Sequence, residues 1–444
     1  MRMNLAYGKT GLDVDLPDDW DVTVIEPKYI PGLLEPRRAV IEALRSPLGT
    51  APLREQVTAT DRVGIVFSDI TRATPHSLLL PAVLDELAHV PPENITLFNA
   101  LGTHRPNTEA EQRRMLGDQL FNGYTKTKGV RSYQRIVQNN SFDPATQVHL
   151  GITSRGHEIW LNRELLACDV KILTGFIEPH LFAGFSGGGK AIMPGMAGQR
   201  TVLGNHGAAM ISSPYATWGV TSGNPVLDEI REVALRAGRL FLLNVTLNRD
   251  QQVTGVFAGD LNAAHAAGCA FARETAMAAV PHPFDIVITS NSGYPLDLNL
   301  YQSVKGMSAA AQVVKDGGAI ILAADCWDGI PEHGMYAKLL RQARSPQALL
   351  ERVGAPGFLE QDQWQAQIQA QIQLKADVYV YSRNLADEQI RAALLLPCSR
   401  IEETVSELMK RYGPRATICV LPEGPQTIPY VESLKIGYSQ KQEE

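Results

Sequence analysis

Apolar runs and helically spaced stretches alternate along most of this chain. Residues 61–69 (DRVGIVFSD) form an apolar run that enters a polar loop, and residues 76–90 (HSLLLPAVLDELAHV) carry apolar positions at helical spacing. The pair repeats: residues 94–102 (NITLFNALG) predict a strand and residues 108–116 (TEAEQRRML) a helix. Thr108 is placed to cap that helix, with Glu111 at capping-box distance. Residues 168–175 (CDVKILTG) predict another strand. In the second half, strands are predicted over 284–293, 317–326, 375–382 and 415–422, and a helix over 303–314. The chain starts as a β-hairpin, residues 3–7 and 12–16 around a turn from Gly8 to Gly11. An Ala-rich stretch, residues 262–280, predicts a helix that crosses between two domains. The polar tail at 439–444 is expected to fray.

This alternation predicts an α/β fold of two α/β domains with mostly parallel sheets. The length, 444 residues, fits two or three domains at roughly 150 residues each. The expected division is an N-terminal domain over 1–275 and a C-terminal domain over 283–430, with the C-terminal tail returning to the first domain as an option. Hydrophobic residues make up 44% and charged residues 20%, which excludes a long disordered chain. A net charge of −6 leaves no basic footprint, so no nucleic-acid partner is expected. The closest of the five cysteines, Cys398 and Cys419, lie 21 residues apart, so CxxC zinc and redox motifs are excluded. The N-terminus lacks the apolar core of a signal peptide, and no run of 18 apolar residues exists. A soluble cytoplasmic protein without a membrane partner is expected.

In open α/β sheets ligands bind beyond the carboxyl ends of strands, so those loops are where chemistry is sought. The densest is residues 175–206, which hold His180, the triple glycine 187–189, Lys190 and His206. Residues 184–190 match GxxxxGK, the start of a phosphate-binding P-loop. The match fails at Ala191, which has no hydroxyl for Mg²⁺, and Pro194 and Gly195 disfavour a long helix from the lysine. Glycines still let backbone N–H groups approach an anion, and the lysine offers a cation or a nucleophilic amine. His206 in GNHG has no second ligand at chelate spacing, so it suits a cofactor that brings its own metal. SDITRATP supplies Asp69, Thr71 and Arg72, whose fork matches a carboxylate or phosphate. ALGTHRP supplies His104, a candidate acid/base. Gln302 and Lys305 share one face of a helix and suit an acidic substrate. His149, His157, His265, His282 and His333 are read as structural or surface residues.

Four segments in this order, SDITRATP, ALGTHRP, EPHLFAGFSGGGK…GNHG and YQSVKG, resemble the nickel-pincer-nucleotide-dependent lactate racemase family, over nearly the whole chain. The resemblance implies a two-domain α/β isomerase with its active site in the interdomain cleft. It implies a nickel pincer nucleotide, a pyridinium-3-thioamide-5-thiocarboxylic acid mononucleotide, covalently attached at Lys190 with His206 as the protein ligand to nickel. By the same resemblance His104 and His180 are the acid/base pair. Arg72, Gln302 and Lys305 bind substrate, and Asp69, Thr71, Gly187 and Gly188 help hold the cofactor. The implied reaction is racemisation or epimerisation of a 2-hydroxy acid, lactate or a short relative, by proton-coupled hydride transfer through a 2-keto acid. Malate or a sugar acid is the alternative substrate; a P-loop-like nucleotide-binding protein and a non-catalytic cofactor carrier are the more distant readings. Enzymes that make the cofactor are implied partners.

Overall fold

The computed structural model describes residues 1–123, 133, 135–332 and 334–432. His333 and the tail at 439–444 lie outside them. Two six-stranded sheets organise the chain, and the residues group into two compact units. In the first unit, the spatial order is Val253–Gly259, Arg239–Leu247, Val170–Phe176, Val63–Ser68, Ile95–Ala100 and Arg135–Gln138. Neighbours run parallel except the first pair. Both faces of such a sheet are covered, which is why its strands read as continuous apolar runs. Val63, Ile65, Phe67, Leu97 and Ile172 sit together in that core.

The second sheet is wholly parallel, in the order Leu396–Pro397, Ala376–Tyr381, Val314–Ala323, Phe284–Ser290, Thr417–Leu421 and Asp21–Val24. The last strand is a difference from the expected boundary, which kept residues 1–275 together. The structure groups Met1–Lys28, His206–Val220 and Thr275–Glu444 in one unit, and Tyr29–Asn205 with Thr221–Glu274 in the other. A four-residue edge strand carries no sequence signal for the sheet it joins; here Val22 pairs with Ile418 and Val24 with Val420. The tail beyond residue 432, whose return to the first domain is an option of the sequence, lies outside the described residues. Strand Ile428–Val431 pairs with Met277–Val280 in the C-terminal unit. That pairing also ends the Ala-rich helix, expected to reach 280, at Ala276.

The N-terminal hairpin pairs Arg2–Leu5 with Leu12–Asp15. Thr108 caps the helix Glu109–Phe121, with the Glu111 side chain returning to the Thr108 N–H. Among the described residues no helix is long and apolar enough to cross a membrane. All five cysteines are free and buried.

Helix Leu300–Ala311 lies against the carboxyl end of Phe284–Ser290. A Cβ added at Gly306 would stand 2.3 Å from Ser290 O, and the Gly306 N–H donates to Asn291 Oδ1 at 3.0 Å. Gly306→Ala must therefore push the helix off the strand end. The expected cost is about 1–3 kcal/mol, read as a fall of the thermal midpoint by several degrees. An unchanged midpoint would show that the helix shifts freely.

Candidate active site

Each sheet has one point where the order of strands reverses, and parallel sheets open a crevice there. In the first unit it lies between Val63–Ser68, from which the chain steps outward to Ile95–Ala100, and Val170–Phe176 on its other side. The loops leaving these two strands carry Asp69, Thr71 and Arg72, and His180, Gly187, Gly188 and Lys190. In the second sheet it lies between Phe284–Ser290 and Thr417–Leu421, and the loop after Ser290 leads to Gln302 and Lys305.

Asp69 is only 3% exposed. Its Oδ2 lies 2.6 Å from His104 Nδ1, and its Oδ1 accepts from Thr71 Oγ at 2.7 Å. Burial disfavours the carboxylate most strongly, but His104, the Arg72 charge and the Thr71 hydroxyl together outweigh it and hold the group below its ordinary range. An ionised carboxylate only accepts, so Nδ1 of His104 carries the hydrogen, and in the neutral ring Nε2 is the bare nitrogen. His104 itself is exposed, which makes that nitrogen accessible. Arg72 is half-buried, its N–H donating to Asp69 O at 3.1 Å. The structure thus gathers Asp69, Thr71, Arg72 and His104.

His180 is wired the other way. It opens a two-strand hairpin, Pro179–His180 with Gly184–Phe185. Its Nδ1 accepts from the Ala183 N–H at 3.2 Å and, more weakly, from the Phe182 N–H at 3.4 Å. A neutral ring so held carries its hydrogen on Nε2. The Phe182 ring meets His180 edge-on at 4.6 Å and lies 5.7 Å from Lys190 Nζ, so these three side chains cluster. Gly102, two residues before His104, donates to Gly195 O, and Gly195 donates to Lys190 O, which joins the two loops.

The glycine turn is shaped by protein neighbours. Gly187 and Gly188 have φ of 75° and 56°. A Cβ at Gly187 would stand 2.5 Å from Asn244 Oδ1, and one at Gly188 2.7 Å from the His265 ring. The Gly188 N–H donates to Asn244 Oδ1 at 2.8 Å, and His265 Nε2 donates to Ser186 O at 2.9 Å. No long helix starts at Lys190; a four-residue turn, Gly188–Ala191, is followed by Ile192 and the Met193–Pro194 bond, so the P-loop geometry is absent. Asn244 and His265 were not singled out by sequence as site supports. The only signal for Asn244 was a polar residue inside the apolar run of Arg239–Leu247.

His206 groups with the other unit from Lys190. It is buried, with the Trp364 ring edge-to-face at 5.1 Å. Gln302 and Lys305 are half-buried on the first turns of Leu300–Ala311, which Asn299 caps through the Gln302 N–H. Among the described residues no three His, Cys, Asp or Glu side chains group to hold a metal ion. A metal at His206 would therefore draw its other donors from a bound group, which fits one that carries its own sulfur and carbon donors.

His104 on a buried carboxylate beside Arg72, and His180 and Lys190 around Phe182, place titratable groups on loops at the switch point of an α/β sheet. Family models for the lactate racemase N-terminal domain and the lactate racemase C-terminal domain match residues 7–219 and 280–428. The lactate racemases of Thermoanaerobacterium thermosaccharolyticum and Lactiplantibacillus plantarum are each 34% identical. They align over 433 and 430 residues, 96% of this chain and 99% and 98% of theirs. The solved lactate racemase apoprotein from the former superposes with a TM-score of 0.88 at 32% identity, covering 97% of this chain and 100% of that one. A Thermotoga maritima protein at 18% identity and TM-score 0.66, covering 89% of this chain and 98% of that one, shares the fold. The chain belongs to the lactate racemase family and is an isomerase, a racemase.

Two outcomes test this geometry. Asp69→Asn offers His104 an amide in place of a carboxylate and releases the ring's tautomer, so kcat should fall about 10²–10⁴-fold; a fall below tenfold would remove the carboxylate from the mechanism. Burial lowers both His76 and His265 to about 4. Between pH 4 and the ordinary value of 6.5 the unfolded chain binds more protons than the folded one. Stability from these neutral rings is therefore full above pH 6.5 and lost as pH falls toward 4, roughly 3 kcal/mol for each. The thermal midpoint should drop over that window, and the double variant His76→Phe, His265→Gln should flatten the drop. An unchanged slope would place the acid lability elsewhere.

Proposed function

We propose that the protein racemises lactate, or a closely related short 2-hydroxy acid, with a nickel pincer nucleotide joined to Lys190. The observation that carries the reading is the opposite wiring of His104 and His180: one presents a bare Nε2, the other an Nε2–H. Racemisation needs one group that takes the hydroxyl proton and a second that returns it on the other face. When bound, the cofactor would supply a hydride acceptor and donor for the α carbon and a nickel ion to which an imidazole of the chain would bind.

The chain's own residues do the rest. The bare nitrogen of His104 takes the hydroxyl proton of one enantiomer, and the buried Asp69 charge stabilises the imidazolium that forms. His180, once protonated to the imidazolium, gives its Nε2 proton to the oxygen when the ketone presents its other face, and His104 releases the proton that it took to solvent. The mirror-image substrate runs the two roles in reverse. Arg72 and Lys305 hold the carboxylate, and Gln302 positions a substrate oxygen. Lys190 would attach the cofactor, His206 would be the nickel ligand, and Gly187 and Gly188 would help hold the nucleotide, with the Gly188 N–H engaged by Asn244 Oδ1. Asp69 and Thr71 would help hold the cofactor from the same loop, while Thr71 bonds to Asp69 and Asp69 to His104. Relatives named for lactate support that substrate class. Five free thiols support a reducing cytoplasm, and a covalent cofactor of this kind calls for enzymes that build it.

Enantiomers have equal free energy, so kcat/KM must be the same in both directions for every variant. Removing either histidine therefore lowers both directions together, by about 10²–10⁴-fold. The test of the function is cofactor-loaded protein given single enantiomers of lactate, malate, longer 2-hydroxy acids and aldonates in D₂O. The expected result is inversion of lactate or its short relative with the α hydrogen retained. Inversion with deuterium at the α carbon would contradict hydride transfer, and no inversion in protein shown to carry nickel would contradict the substrate class.

A further inference from the structure

Helix Gln363–Lys375 carries glutamines at positions 363, 365, 367 and 369, all buried. Buried amides are costly unless hydrogen-bonded, so their partners show what the helix holds. Gln367 Nε2 donates to Ala208 O and to Ser212 Oγ, both at 2.9 Å. Gln365 Nε2 donates to Tyr301 O at 2.7 Å. One helix thus grips the segment after His206 and the first turn of the helix bearing Gln302 and Lys305.

Trp364 sits between those grips and is 6% exposed. Its ring meets His206 at 5.1 Å and 85°, and its Nε1–H donates to Tyr301 Oη at 3.2 Å. The Tyr301 ring meets Tyr336 at 5.4 Å and 86°, and the Tyr336 hydroxyl donates to Gln369 Oε1. The path therefore closes on the helix from which it started.

We propose that Trp364 is a positioning residue for His206: it fixes the plane of the imidazole and ties that plane, through Tyr301, to the helix of Gln302 and Lys305. The proposal rests on the reading of His206 as the nickel ligand. The terminal torsion of a histidine is soft, so an isolated ring would sweep its nitrogens past the metal. An edge-to-face neighbour removes that freedom before the metal arrives. Groups that orient a ligand typically change metal affinity about 10–100-fold when lost. A tryptophan that merely filled the core would affect folding and leave nickel retention alone.

The test compares loaded wild type, Trp364→Leu, Tyr301→Phe and His206→Ala. Intact mass reads the Lys190 adduct, a chelator challenge reads the rate of nickel loss, and a melt reads the fold. Trp364→Leu should keep the adduct and lose nickel about 5- to 50-fold faster than wild type. Tyr301→Phe keeps every ring and removes the hydroxyl that accepts the tryptophan N–H. It should fold and melt within several degrees of wild type, lose nickel measurably faster and raise KM, and it decides the matter if Trp364→Leu fails to fold. Wild-type retention in Trp364→Leu, or in Tyr301→Phe when that variant must decide, overturns the proposal. Wild type that carries the adduct yet holds nickel no better than His206→Ala overturns the reading of His206 and the proposal with it.

Discussion

A carboxylate with almost no access to water, held by one histidine, is the constraint around which the first unit is arranged. Asp69 stands at the end of the strand Val63–Ser68, where its charge is tolerated only because His104 and Thr71 bond to it and Arg72 lies near. Removing one partner leaves a buried charge unpaired. The loop after Ile95–Ala100 must therefore bring His104 to one place, and Gly102 fixes it there by bonding to Gly195 O. Through Gly195 the same contact reaches the turn of Lys190. The pair thus sets the tautomer of one histidine and the position of the loop that carries the amine.

The second unit solves a similar problem without a buried ion pair. Its helix Leu300–Ala311 can reach the strand end only because Gly306 lacks a side chain. The glutamine-rich helix then binds that helix to the segment of His206 through side-chain amides rather than apolar contact alone. Amides in these positions are directional, and a shifted register leaves them unsatisfied. Leu300–Ala311 and the His206 segment are thereby fixed to a common support.

Much of this was legible in sequence where local physics decides. Apolar runs marked the buried parallel strands, and the Thr108–Glu111 box marked a helix start. The order of four loop motifs marked the family, and both switch points fall at those loops. What was not legible depended on distant partners. His265 bonds to Ser186, 79 positions away, and no local pattern reveals that it floors the glycine turn. Strand Asp21–Val24 joins a sheet formed by residues nearly 400 positions later, so the domain boundary at 275 missed it. Residues 363–373 alternate glutamine with apolar residues, the period of a strand, yet they form a helix in which the Gln365, Gln367 and Gln369 side-chain N–H groups bond inside the unit.

In the proposed reaction protons pass through His104 and His180, whose neutral rings rest in opposite tautomers. Nitrogen-15 NMR of histidine-labelled protein, at a pH where both rings are neutral, tests it most directly. His104 should show its hydrogen on Nδ1 and His180 on Nε2, and Asp69→Asn should disturb only the first. The same tautomer in both rings, or a His104 signal indifferent to Asp69, would contradict the account.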